Sequence, residues 1–354
     1  MRRDDLKIAI ITDTFTIERG TGIARYSDEL IRGLAEACEI KVIGSSARGT
    51  SKSLLNHVVV TPAKVVWNKN DFDVFHALAP HNGLSLPLLS KPTVVTYHDL
   101  ATLLYGKASS WHVRFSAPGF YKLGKWCSMV IAISSQTKNE LVQRLSLPQE
   151  KVRVINLGVA ERFKPQEKND TNHLSIGYIG KLDARKRADY LLKTFHHLKK
   201  EHRPLNVKLK IFGRRDTAYQ SLVELADDLN IRQDVEFHGP VPEEDLVDVY
   251  NSLDAYVVPS EWEGFGLPIL EAQRCGIPVV IRADAHIPEE VGRHCLKATS
   301  ERHMADILYE ILEDDTLRER VARTGLEYSK RFTWEKTLKE TISVYKDVLH
   351  DDLS

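Results

Sequence analysis

Short apolar runs rich in β-branched residues alternate with segments of helical spacing through most of the chain. In the first half the runs predict strands at Lys7–Thr12, Glu39–Ile43, Val58–Val60, Val74–Ala77, Thr93–Thr96, Met129–Ile133 and Val152–Asn156. Helices are predicted at Ile23–Glu36, Trp111–Lys125 and Gln136–Leu145, the last capped by the hydroxyl of Ser134 or Ser135. The stretch Arg162–Asn172 is polar and proline-containing, and reads as a linker. Beyond it the alternation restarts. Strands are predicted at Ser175–Ile179, Lys208–Phe212, Val235–Phe237, Ala255–Val258 and Val279–Ile281, with helices near Ala188–Lys200, Tyr219–Leu229 and Glu243–Ser252. From His303 onward the pattern is all helical, and its last segment, Trp334–Leu349, is placed back on the first domain. The predicted division is therefore a first domain over 1–160, a linker over 161–172, a second domain over 173–332 and a returning helix over 333–354. Strand–helix alternation in both halves predicts an α/β fold of two doubly wound parallel sheets. Ligands of such sheets bind outside the carboxyl ends of the strands, which predicts a shared site in a cleft between the domains.

Composition narrows the function classes. A length of 354 residues suits two cores rather than one. The 49 basic and 49 acidic residues balance, which argues against a dedicated nucleic-acid binder. Cys38, Cys127, Cys275 and Cys295 are scattered, with no metal-binding spacing, as expected of reduced thiols in a cytoplasmic enzyme. No apolar run approaches the roughly 20 residues that cross a bilayer. The chain passes from Met1-Arg-Arg-Asp-Asp5 directly into a strand, so no cleavable signal is expected.

The most informative stretch is Pro259-Ser-Glu-Trp-Glu-Gly-Phe-Gly-Leu-Pro-Ile-Leu-Glu271, which follows the predicted strand Ala255–Val258. Gly264 and Gly266 permit positive φ and close approach of a ligand, and Pro268 suits a helix start. The free N–H groups of the new helix form an anion site suited to a phosphate. Glu263 and Glu271, eight positions apart, flank that site and can bind hydroxyl groups on either side of it. Phosphate plus polyol describes a sugar nucleotide. Spacing alone equally allows two glutamates that are only favourable partners of a helix dipole.

The match extends beyond spacing. The stretch resembles the E-x7-E signature of the retaining glycosyltransferases of family 4, with every fixed position of Pro-Ser-x-x-Glu-Gly-Phe-Gly-Leu-Pro-x-Leu-Glu-Ala present, and continues with Gly276-Ile-Pro-Val-Val280. The resemblance runs from the glycine loop near residue 20 to Phe332-Thr-Trp-Glu335 and is densest between Ile176 and Val280. It implies the GT-B architecture, two Rossmann-like domains facing across a cleft.

Other motifs take their meaning from that resemblance. Gly20-Thr-Gly22 is a weak signal alone, since Arg25 stands where a dinucleotide fingerprint needs glycine. It is similar to the family's first-domain glycine loop, which implies donor contact at Gly20 and Gly22. His98, followed by Asp99 at a predicted strand end, is similar to a family histidine that meets the donor sugar, its imidazole donating to a hydroxyl. Gly180-Lys-Leu-Asp-Ala-Arg-Lys-Arg187 is either a solvated charge run or a phosphate grip. The family has Gly-Arg-x-x-x-x-Lys-Gly here, so Lys181 and Lys186 are implied to hold a diphosphate. Lys181 lacks the fork of the family's arginine, which Arg185 or Arg187 is positioned to replace, and Arg187 stands where the family has glycine. Gly213, followed by Arg214 and Arg215, and the loop at His238, whose counterpart reads the nucleobase through main-chain contacts, complete the implied donor side. So do Gly264, Phe265, Gly266 and Leu267.

The resemblance implies a retaining hexosyltransferase that takes its sugar from a UDP-, GDP- or ADP-sugar. Glu271 would hold the ribose, Glu263 the sugar, and the two lysines the leaving diphosphate. No metal or other cofactor is expected, because the cationic loop and helix start carry the diphosphate charge. The expected partners are a nucleotide-sugar donor and a hydroxyl acceptor, and no nucleic acid. The mixture of Trp, Phe, Tyr and Lys over Trp111–Trp126 reads either as a packing helix or as a peripheral contact with the cytoplasmic face of a membrane. A sugar-nucleotide epimerase or hydrolase on this fold, or a non-catalytic nucleotide-sugar-binding protein, are the alternatives.

Overall fold

A computed structural model describes residues 6–12, 22–44, 60–104, 119–167, 172–202, 205–214 and 218–351. They fall into two compact units. The first is Met1–Gly158 with Phe332–Ser354, and the second is Val159–Arg331.

The first unit is a six-stranded parallel sheet of β1 (Lys7–Ile11), β2 (Glu39–Ile43), β3 (Val74–Ala77), β4 (Thr93–Tyr97), β5 (Met129–Ala132) and β6 (Val152–Val154), in the order β2-β1-β3-β4-β5-β6. β3, β4 and β5 are buried at every position, because helices cover both faces of a parallel sheet and the strand must be apolar throughout. Helix α1 (Gly22–Ala37) follows β1, and a shorter α2 (Thr61–Trp67) precedes β3. Helix α3 (Ser135–Leu145) follows β5. It opens on Ser134, whose Oγ accepts from the Thr137 N–H at 3.0 Å. The predicted strand at Val58–Val60 is overturned where it is described, since Val60 leads directly into α2. Of the predicted helix Trp111–Lys125, residues 111–118 lie outside the described residues, and Lys122–Lys125 form a 3₁₀ turn.

The second unit is a parallel sheet of β7 (Leu174–Ile179), β8 (Val207–Phe212), β9 (Val235–His238), β10 (Ala255–Val258), β11 (Val279–Arg282) and β12 (Leu296–Ala298), in the order β12-β11-β10-β7-β8-β9. Its longer helices are α4 (Ala188–Glu201), α5 (Tyr219–Asp228), α6 (Leu246–Asn251), α7 (Leu267–Arg274), α8 (Glu301–Glu313) and α9 (Asp315–Ser329). The start of the stretch predicted as a linker is fastened to this unit. Phe163 is buried, the Gln166 N–H donates to Asn251 Oδ1 at 2.8 Å, and Asn251 Nδ2 donates to the Lys164 carbonyl at 3.1 Å.

The chain then returns to the first unit as α10 (Trp334–Asp351), which packs on α1. Gly158 permits that return: a Cβ there would meet Trp334 N at 2.2 Å. Within this unit Tyr345 of α10 is buried and bonds His76 Nδ1 at 2.7 Å, while His76 Nε2 bonds Thr96 Oγ1 at 2.8 Å. Thr96 Oγ1 also meets the Tyr26 hydroxyl at 3.0 Å, so a continuous buried polar chain ties the last helix to two strands and to α1.

Candidate active site

In the second sheet the chain leaves β7 toward β8 but leaves its neighbour β10 toward β11. This reversal of direction opens a crevice at the carboxyl ends of the two strands. The loops that emerge there are Gly180–Arg187 and Pro259–Gly266, which carry Lys181, Arg185, Lys186, Glu263, Gly264, Phe265 and Gly266 among the residues predicted from sequence.

The first loop is built to a tight tolerance. Tyr178 and Tyr256, buried in β7 and β10, donate through their hydroxyls to the main-chain carbonyls of Lys181 (3.0 Å) and Ile179 (3.2 Å). Gly213, after β8, lies against the same turn, and a Cβ on it would come within 1.9 Å of the Gly180 oxygen. Asp183 caps the short turn Ala184–Lys186 by accepting from the Lys186 N–H at 3.1 Å. The Lys181 side chain is exposed. Arg187 takes left-handed φ 50°, ψ 44°, a conformation that explains the glycine of the family pattern. Its guanidinium is held by Asp189 (3.0 and 3.1 Å) and by Glu261 (2.8 Å).

The second loop closes on the first. Lys186 Nζ donates to both Glu263 oxygens, at 2.6 and 2.7 Å, with the side chains only 17% and 14% exposed. Burial by itself pushes the Glu263 carboxyl up, but the Lys186 charge and hydrogen bonds outweigh it and hold the group below its ordinary value. Arg185 is not a solvated neighbour. Its Nη1 donates to the Trp262 carbonyl at 2.7 Å and its guanidinium lies 5.7 Å from the Trp262 ring centre, so it braces the loop that carries Glu263. The Glu263 N–H donates to His286 O and the His286 N–H to Glu261 O, at 2.9 and 2.8 Å, fixing that loop from the other side.

Gly266 then takes φ 98° and starts α7, with Pro268 as its second residue. Phe265 and Leu267 are buried beneath the turn. Glu271 lies a full turn into the helix, is 3% exposed, and accepts at Oε2 from the Tyr250 hydroxyl at 2.9 Å. Tyr250, Tyr178 and Tyr256 carry no motif and read as core residues in the sequence, and Trp262 fills an unspecified position of the E-x7-E pattern. Only the fold reveals that they orient the site.

At the far side of the sheet His238 ends β9 and stacks on Phe212, ring centres 4.5 Å apart. Arg214 is exposed and Arg215 lies outside the described residues. Burial pushes the thiols of Cys127, Cys275 and Cys295 up to about 12, so these three are not thiolates near neutral pH.

His98 and Gly22 belong to the first unit, and Gly20 lies outside the described residues. His98 follows β4 with its ring edge against Tyr26, centroids 4.9 Å apart. Its Nε2 is 2.8 Å from the Leu78 carbonyl, which can only accept, so Nε2 carries the proton. Burial, against the pull of that carbonyl, lowers the imidazole to about 4. The neutral ring therefore keeps a lone pair on Nδ1. The expectation that it donates to a sugar hydroxyl is corrected: it can accept a hydrogen bond from one.

Residues 20–162 match the family described as Glycosyltransferase Family 4, and residues 159–328 match Glycosyl transferases group 1. The chain belongs to these GT-B glycosyltransferases, as the paired sheets and the E-x7-E stretch indicate. Among curated relatives, O-antigen chain mannosyltransferase B of Escherichia coli is 27% identical over 372 residues, covering 92% of this chain and 96% of that one. Among solved structures, sucrose-phosphate synthase of Thermosynechococcus elongatus superposes with a TM-score of 0.82 at 19% identity, over 98% of this chain and 100% of that one. The HepE protein of Anabaena in complex with UDP and glucose gives 0.77 at 18% identity, over 97% and 100%.

Proposed function

We propose that the protein is a retaining hexosyltransferase that takes its sugar from a nucleoside-diphosphate sugar and passes it to an acceptor hydroxyl. The observation that carries this reading is the convergence of Lys186, Glu263, Glu271 and the α7 start at the crevice of one sheet. Glu271, oriented by Tyr250, accepts from the ribose hydroxyls, and Glu263 accepts from hydroxyls of the sugar. Lys181, Lys186 and the amides near Gly266 hold the diphosphate. The bond from the anomeric carbon to the diphosphate oxygen breaks, and the acceptor oxygen bonds that carbon from the same face. The acceptor proton passes to the departing phosphate oxygen. Charge grows on the diphosphate as the bond breaks, so cations already in place stabilise the transition state more than the ground state. This charge balance asks for no metal ion, and activity should survive a chelator.

A second observation bears on membrane contact. Trp67, Leu88 and Trp126 are the large apolar side chains most exposed among the described residues, at 89, 69 and 61%. Each precedes one of the adjacent strands β3, β4 and β5, so all three lie toward the amino ends of the first sheet, with Lys64, Lys69, Lys91, Lys122 and Lys125 nearby in sequence. Aromatic and cationic residues together suit an anionic lipid surface, docked at the edge of this sheet opposite the carboxyl ends of its strands.

The test is incubation with UDP-, GDP- and ADP-hexoses and candidate hydroxyl acceptors, with NMR of the early product. Transfer with the donor's anomeric configuration unchanged supports the reading. An inverted product, or sugar released without an acceptor as the only reaction, removes it.

A further inference from the structure

In the proposed function Lys186 and Glu263 serve different halves of the donor, the diphosphate and the sugar. In the structure they hold one another. Lys186 Nζ meets both carboxylate oxygens at 2.6 and 2.7 Å, across 77 positions of sequence. Both side chains are less than one-fifth exposed, so water replaces a lost partner poorly and neither charge is released cheaply. The loops that carry them are fixed. Arg185 ties the lysine's loop to the Trp262 carbonyl, and the His286 main chain holds Glu261 and Glu263. The pair is thus the resting arrangement of two braced loops.

A sugar nucleotide can replace both partners at once, its phosphate oxygens accepting from Lys186 and its sugar hydroxyls donating to Glu263. A bare nucleoside diphosphate replaces only one. It takes Lys186 but leaves the Glu263 carboxylate without that lysine and beside a second anion. We propose that the Lys186–Glu263 pair is a partner-exchange latch, opened by the intact donor and closed again after transfer, which discriminates against the nucleoside diphosphate and drives its release. The inference rests on the donor class proposed above. It makes Glu263 a determinant of donor over product, in addition to its contact with the sugar.

The latch is tested by calorimetry of UDP, GDP, UDP-glucose and GDP-mannose binding to the wild-type protein and three variants. These are Glu263→Gln, Lys186→Met and the double variant, each checked for folding by thermal melting. Glu263→Gln releases Lys186 from its internal partner, so the nucleoside diphosphate should bind about tenfold more tightly, a change worth 1.4 kcal/mol. The preference of the wild-type protein for the sugar nucleotide should shrink by at least the same factor. In the Lys186→Met background Glu263→Gln should bring a clearly smaller gain, from the relieved repulsion alone. Equal tightening in both backgrounds would show a general loss of negative charge and overturn the latch. So would unchanged or weaker diphosphate binding in Glu263→Gln. Failure of every nucleotide and sugar nucleotide to bind any of the four proteins would instead remove the donor class, and the latch with it.

Discussion

The Gly180 carbonyl oxygen lies 1.9 Å from the position that a Cβ on Gly213 would occupy. No side chain fits between the loops after β7 and β8, so Gly213 sets how closely the Lys181 turn rests on the sheet. Gly213→Ala must push that turn outward, and displacement of backbone costs about 1–3 kcal/mol. The expected outcome is a lower Tm and weaker sugar-nucleotide binding together. An alanine variant with wild-type melting and affinity would show that the turn has slack.

Arg187 gives a sharper comparison, because its backbone and its side chain pull in opposite directions. A non-glycine residue at φ 50° costs roughly 1–2 kcal/mol. The ion pairs with Asp189 and Glu261 are partly exposed and offset only part of that. Arg187→Ala keeps the backbone cost and loses the pairs, whereas Arg187→Gly loses both. Denaturant titration should therefore find the glycine variant more stable than the alanine variant by about 1 kcal/mol, reduced somewhat by the added freedom of its unfolded chain. The reverse order would mean that the left-handed conformation carries no strain.

These contrasts also mark where the sequence stops being readable. The strands were legible because parallel sheets covered on both faces demand continuous apolar runs. β12 was not, since Leu296–Ala298 is too short to show a pattern, and α2 was hidden by the strand-like run at Val58–Val60. Glu263 and Glu271 were legible because their role is written in one local segment. Lys186 was singled out as a phosphate ligand, but its pairing with Glu263 joins loops of two strands brought together by topology. The bracing role of Arg185 was hidden for the same reason, its partner Trp262 being equally remote in sequence. Tyrosines inside strands look like any other core residue until their hydroxyls find the loops they brace.

Tyr250 is such a residue, and its effect is separable from folding. Its hydroxyl donates to a Glu271 carboxylate that is almost wholly buried. Tyr250→Phe keeps the ring packed against Phe163 and Tyr256 and removes only that bond. A hydrogen bond to a charged group contributes about 1.5–3 kcal/mol. If Glu271 holds the ribose, nucleotide affinity should fall by about tenfold or more in Tyr250→Phe, with kcat at saturating donor changed less. Unchanged nucleotide affinity with a lowered Tm would confine Tyr250 to a structural role.

The first unit should lose stability in mild acid, and its histidines fix the direction. His98 is lowered to about 4 and His76 to about 3, both chiefly by burial and each from an ordinary value of 6.5. Between the lowered and ordinary values the unfolded chain binds protons that the native chain does not, so stability rises with pH there. The stabilisation is fully present above about pH 6.5 and is lost as pH falls toward 4. At roughly 1.4 kcal/mol per unit, His98 alone accounts for a loss on the order of 3 kcal/mol by the bottom of that window. Most carboxylates stay ionised down to about pH 5, so the range from 7 to 5 isolates the histidines. His98→Asn retains an N–H for the Leu78 carbonyl and does not titrate, so urea titrations should give it a visibly flatter dependence of stability on pH. Equal slopes in the variant and the wild-type protein would mean that His98 is already solvated or already charged in the native state.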